Sequence, residues 1–157
     1  MTDRLLNASD SGSPGLPPTP HVSVNGCRII SLSVFSDPRG NLTVIEGSSD
    51  VPFDIARVYY VRDVPVGAAR AGHAHRRLEQ LLIAANGAFD AVLDDGCQRQ
   101  TVRLSQPSYG LYLPVMVWRE LTNFTAGAVC LSLASMPYDS ADYFYDYDEY
   151  VRIVKSA

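Results

Sequence analysis

From Cys27 onward the chain breaks into short runs rich in Val, Ile, Leu, Tyr and Phe, and turn chemistry interrupts them about every ten residues. The runs are 28–34, 42–46, 57–61, 71–75, 80–85, 89–93, 98–104, 110–113, 117–121 and 128–134. Their separators include Asp37-Pro38-Arg39-Gly40, Val64-Pro65-Val66-Gly67 and Pro107-Ser108-Tyr109-Gly110. No helical period competes with this rhythm before 140–150, where Tyr, Phe and Asp crowd too densely to choose between a helix and an irregular wrap. So many short strands must manage their sheet edges, and closing into a barrel or jelly roll is the economical solution. An all-β, antiparallel domain is therefore expected. Asn86-Gly87 suits a type I′ hairpin turn between the flanking runs, and Asp95-Gly96 offers a second tight reversal.

A chain of 157 residues, 46% hydrophobic and 19% charged, has the size and composition of one globular domain. Residues 1–22 read as a flexible arm carrying Pro14, Pro17, Pro18 and Pro20, and residues 23–157 as the folded domain. With a formal charge of −4 and no basic run longer than Arg76-Arg77, nucleic acid is not an expected partner. No apolar stretch has the length of a membrane span or a secretory signal, so the expected location is the cytoplasm. Cys27, Cys97 and Cys130 are odd in number and lack a CxxC spacing, and read as buried, reduced thiols.

The chemistry-bearing pattern is His73-Ala74-His75. On a strand, residues two apart point to the same face with Cα atoms roughly 6.5–7 Å apart, so the two imidazoles can flank one small substrate. Ala71 shares their face, and Gly72 and Ala74 lie behind, which leaves room for a cavity. An imidazole with an ordinary pKa near 6.5 can both take and return a proton near neutral pH.

The spacing Gly67-x5-His73-x-His75-x3-Glu79, closed by Gly87, resembles the first motif of the cupin superfamily. In metal-binding cupins a third His joins this set from a later strand. Here the position after Trp118 is Arg119, a cation that would repel a divalent metal, so a metal-free site is expected.

A narrower resemblance rests on Asp37-Pro38-Arg39-Gly40-Asn41-Leu42, Arg57-Val58-Tyr59-Tyr60, Gly72-His73-Ala74-His75 with Leu78-Glu79-Gln80, Leu93-Asp94-Asp95-Gly96, Gly110-Leu111-Tyr112, Val117-Trp118-Arg119-Glu120, Leu133-Ala134-Ser135 and Asp142-Tyr143. Together these blocks look like the dTDP-4-keto-6-deoxyglucose 3,4-ketoisomerases. The resemblance implies a cupin-type β-barrel and a cofactor-independent shift of a sugar carbonyl from C4 to C3. It implies catalytic roles for His73, His75 and Tyr59, with His73 on the carbon-to-carbon transfer and His75 on the oxygen side. The residues alone allow those roles to be exchanged. Arg39, Arg57, Arg70, Arg119 and Glu79 become candidate substrate-binding residues, and the dTDP-linked keto sugar is the expected partner. The family also implies a homodimer with exchanged N-terminal strands. Arg39 matches the branch with galacto products and Arg119 the branch with gluco products; Arg119, on a strand expected to line the pocket, favours gluco. The rival readings are a deoxysugar 3,5-epimerase, a non-catalytic sugar-binding cupin and a metal-dependent dioxygenase.

Overall fold

A computed structural model describes residues 18–157. The arm expected over 1–22 thus lies largely outside the described residues. Its end is pinned, since the Gln100 side chain donates to the His21 carbonyl and accepts from the Ser23 backbone N–H.

Twelve strands form among the described residues: β1 (Arg28–Ser31), β2 (Ser33–Asp37), β3 (Gly40–Val44), β4 (Arg57–Val61), β5 (Arg70–His75), β6 (Gln80–Asn86), β7 (Phe89–Asp94), β8 (Arg99–Leu104), β9 (Tyr109–Leu113), β10 (Trp118–Thr122), β11 (Val129–Ala134) and β12 (Tyr143–Phe144). One sheet has the order β1-β9-β6-β11-β4 and a second β12-β5-β10-β7-β8; β2 and β3 stand apart as a two-stranded hairpin. The pairings between named strands are antiparallel, as the cupin-type barrel requires.

Burial explains the sequence pattern. Leu82 and Ala84 of β6 face the inner core with Phe89, Leu93 and Leu111, while Leu81 and Ile83 face an outer cluster with Val51, Phe53 and Tyr112. Both faces of β6 are covered, so the strand reads as a continuous apolar run rather than an alternating one.

Three local expectations are corrected. The run 28–34 is not one strand: β1 joins β9 at the edge of the first sheet, and after Leu32 the chain leaves it to form the separate hairpin. Asn86-Gly87 does not close a hairpin, because β6 pairs with β9 and β11 whereas β7 pairs with β8 and β10. The turn instead carries the chain between sheets. Gly87 is needed there, at φ +62° and so close to the 125–128 turn that a Cβ would lie 2.6 Å from Thr125 Oγ1. Cys27 and Cys130 are buried as expected, but Cys97 is exposed in the turn between β7 and β8. The Asp95-Gly96 reversal does link paired strands, with Asp94 opposite Arg99.

The crowded tail resolves into a 3₁₀ turn at Ser140–Asp142, β12, and a helix α1 (Tyr147–Ser156) capped by Asp146, whose carboxylate accepts from the Glu149 N–H. Tyr150 anchors α1 against Trp118 and Phe144, and its single hydroxyl proton is shared between the backbone carbonyls of Asp94 and Met116 at 2.8 and 2.9 Å. No helix among the described residues is long and apolar enough to cross a membrane.

Candidate active site

β5 carries the His pair, and its conformation is irregular where the pair begins. Ala71 and Gly72 both have positive φ (64° and 76°), and the pairing of β10 with β5 steps from Arg119↔His73 to Glu120↔Ala71, so Gly72 is a bulge residue. Such an insertion re-aims the strand. Beyond it, the two rings lie together with centroids 4.8 Å apart and planes at 83°. Tyr143 of β12 packs on both, at 4.9 Å from His73 and 4.3 Å from His75.

His73 lines a cavity of about 250 Å³ together with Arg57, Tyr59, Arg70, Ala71 and Tyr143, over an apolar floor that includes Leu82 and Leu121. Among the described residues no carboxylate lines it. Drug-sized ligands occupy roughly 300–1,000 Å³, so this space takes one sugar ring, and a larger ligand must extend beyond the mouth. The Tyr59 hydroxyl accepts from Gln80 Nε2 at 2.6 Å, and Gln80 also donates to Ser132 Oγ.

Arg119 lies beside His73 in the β10–β5 register and is 1% exposed, and none of its three guanidinium nitrogens has a hydrogen-bond partner among the described residues. Arg57 likewise has two unpartnered buried nitrogens, Nε and Nη2, with its guanidinium over the Tyr59 and Tyr138 rings. Burial lowers the Arg119 pKa from 12.5 to about 10. Burial first, and the Arg119 charge second, push His73 down to about 3. The same two causes, followed by His73 and Arg57, push His75 downward, against which an Asp142 carboxylate on Nδ1 acts. Near neutral pH both rings are therefore uncharged bases in a cationic enclosure.

The remaining sequence candidates are placed differently. Arg39 stands at the tip of the β2–β3 hairpin, its side chain 89% exposed and paired with Asp37, and it does not line the cavity. Glu79 accepts a hydrogen bond from Tyr112 on the outer side of the first sheet and does not line the cavity. Its neighbour Gln80 is the residue that reaches the site. The strand alternation of β6 carries this signal, since 80, 82 and 84 share a face. Tyr143 and Asp142 also belong to the site. Arg119 pairs opposite His73 across β10 and β5, and no group of three or more His, Cys, Asp or Glu able to hold a metal is found among the described residues.

The family model FdtA, described as WxcM-like, C-terminal, matches residues 25–155. The chain belongs to this family. A TDP-4-oxo-6-deoxy-alpha-D-glucose-3,4-oxoisomerase from Aneurinibacillus thermoaerophilus is 39% identical over 127 residues, covering 81% of this chain and 91% of its own. The QdtA 3,4-ketoisomerase from Thermoanaerobacterium thermosaccharolyticum, solved with TDP, superposes with a TM-score of 0.84 at 40% identity, covering 85% of this chain and 98% of its own. The WlaRB TDP-quinovose 3,4-ketoisomerase from Campylobacter jejuni gives 0.79 at 43% identity, covering 82% and 99%. The FdtA-type membership bears out the resemblance carried by the sequence blocks, and with it the cupin-type fold and the class of enzyme, an intramolecular oxidoreductase acting on sugar nucleotides.

Proposed function

We propose that this FdtA-type enzyme moves the carbonyl of dTDP-4-keto-6-deoxyglucose from C4 to C3 without a cofactor. The observation that carries the reading is a pair of adjacent imidazoles beside a sugar-sized cavity whose charged lining groups, among the described residues, are all guanidinium. The C4 ketone acidifies the C3–H, and His73 on the cavity wall takes that proton. The resulting enediolate is negative, and the buried donors of Arg119 and Arg57 and the Tyr59 hydroxyl supply the positive field it needs. His73 returns its proton to C4 while His75 carries the O3 hydroxyl proton to O4, so the atoms balance with nothing lost to solvent.

Arg70 and Arg57 at the cavity suit the diphosphate, with the nucleoside outside. Arg119 behind the His pair supports a gluco-configured product, as does the 43% identity to an enzyme named for quinovose, a 6-deoxyglucose. A homodimer is part of the same reading. Phe35 and Leu42 sit opposite each other on the free hairpin, both 62% exposed, and exchange of this N-terminal hairpin would cover them and carry Arg39 to a partner. A free nucleotide sugar and reduced thiols accord with the cytoplasm.

The test is incubation with dTDP-4-keto-6-deoxyglucose followed by NMR in H₂O and D₂O. A C3 carbonyl with equatorial C4–OH is expected. Deuterium at C5 with the carbonyl still at C4 would mean an epimerase, an axial C4–OH would overturn the gluco assignment, and no turnover would leave a binding protein. Replacing His73 or His75 by Asn is expected to lower turnover by about 10²–10⁴-fold.

A further inference from the structure

The His pair is not symmetric in what stands behind it. His75 Nδ1 lies 3.0 Å from Asp142 Oδ2, with the two side chains 0% and 1% exposed. The Asp142 carboxylate is itself held on every side. Oδ1 accepts from the Arg77 backbone N–H at 2.8 Å and from Arg77 Nε at 3.4 Å, and Oδ2 accepts from the Leu78 N–H at 3.2 Å. Its backbone carbonyl accepts from the Arg76 N–H at 2.8 Å. The three residues after β5 thus wrap around this one aspartate. The 3₁₀ turn that bears it is fixed in turn by Asp139, which accepts from the Ala141 N–H and from Arg77 Nη2. Among the described residues His73 has no carboxylate in the same position.

A carboxylate can only accept, so the hydrogen on the His75–Asp142 contact belongs to His75 Nδ1. The lone pair of the neutral ring is then on Nε2, and that atom is buried without a hydrogen-bond partner among the described residues. We propose that Asp142 is a positioning residue of the isomerase: it sets the His75 tautomer so that Nε2 is the nitrogen that accepts the substrate hydroxyl proton, and it steadies the imidazolium formed until that proton passes to the neighbouring oxygen. In the step, O3–H breaks as Nε2–H forms, then Nε2–H breaks as O4–H forms. Asp142 keeps no proton at any stage. Among the described residues His73 has no carboxylate to hold it in the same way. The different backing gives two chemically similar residues two different tasks.

The proposal rests on the 3,4-ketoisomerase reading for the reaction, but its primary readout does not. Two-bond ¹H–¹⁵N correlation on the wild-type protein at neutral pH reports the tautomer directly, and His75 is expected with Nδ1 protonated and Nε2 bare. The opposite tautomer would overturn the proposal whether or not the protein turns over sugar. In Asp142→Asn the amide donates toward Nδ1 and forces the proton onto Nε2. The tautomer is then expected to invert, with kcat reduced on the order of 10³–10⁴-fold, as for an orienting Asp in a catalytic triad, and KM little changed because Asp142 does not line the cavity.

Asn also loses an acceptor for the Leu78 N–H, so Asp139→Ala serves as the comparison, loosening the same turn while leaving the carboxylate on His75. Its kcat is expected to stay within about tenfold, below the ~10²-fold effect of losing acid–base catalysis. A folded Asp142→Asn protein with kcat near wild type, or an Asp139→Ala protein as inactive as Asp142→Asn, would overturn the proposal. If Asp142→Asn fails to fold, the wild-type tautomer still decides it. Absence of turnover in wild type with the expected tautomer would refute the assigned reaction and leave the tautomer assignment intact.

Discussion

Arg119→Met is expected to make the protein more stable and inactive at once. The guanidinium is 1% exposed and its three nitrogens meet no protein acceptor among the described residues, so folding costs it hydration without a protein hydrogen bond in return. Its pKa drops from 12.5 to about 10, and at about 1.4 kcal/mol per tenfold change this amounts to roughly 3 kcal/mol by which the interior disfavours the charged form. Replacing buried ionic groups with apolar side chains of similar volume stabilises other proteins by about 1–4 kcal/mol, in the same range. Methionine keeps most of the volume and adapts its shape, so the cavity left is small. Urea unfolding at pH 7.5 and fixed protein concentration is expected to move its midpoint up by about 1–3 M, for slopes of about 1–3 kcal/mol/M. Turnover in the same preparation is expected to fall by at least ~10²-fold, the effect of removing one donor from an oxyanion site. A variant destabilised by about 2 kcal/mol or more would show that Arg119 is satisfied in the resting protein, and full activity in a stabilised variant would remove it from the reaction.

Lowering the pH should weaken the fold before carboxylates dominate. Both His pKa values are depressed by burial, so below about 6.5 the unfolded chain binds protons that the native state refuses, and stability is lost from there down toward the folded value of about 3. Allowing for the opposing pull of Asp142, the loss between pH 6 and pH 5 is expected to be about 1–2 kcal/mol by urea titration; a constant or rising stability would refute neutral burial. Gly87→Ala forces a Cβ to 2.9 Å from the Ala128 Cα at φ +62°, and a destabilisation of roughly 2–4 kcal/mol is expected from thermal unfolding, whereas a neutral outcome would mean the 125–128 turn yields freely. Light scattering is expected to give the wild type twice its 17.2 kDa chain mass, and Phe35→Asp with Leu42→Asp a monomer. A wild-type monomer at micromolar concentration would refute the exchanged hairpin.

Strand rhythm and the two-residue period were enough to specify an all-β fold with His73 and His75 on one face, because those properties depend on neighbours along the chain. The same parity rule applied to β6 would have put Gln80 in the site and Glu79 outside it, where motif spacing pointed to Glu79. Asn86-Gly87 misled because a local turn preference is worth little against the sheet partners available to β6 and β7, which lie on opposite sides of the core. Arg39 could be assigned to a loop, but its distance from the cavity follows from a hairpin that leaves its own sheet. Asp142 belonged to a matching block, Asp142-Tyr143, but nothing near it in the chain tied it to His75. It stands 67 residues from His75, and only the pairing of Tyr143 with His75, held by α1 packed on Trp118, returns the end of the chain to place a carboxylate behind the imidazole. Which side chains face inward is a property of a strand; which charge sits behind a base is a property of the closed fold.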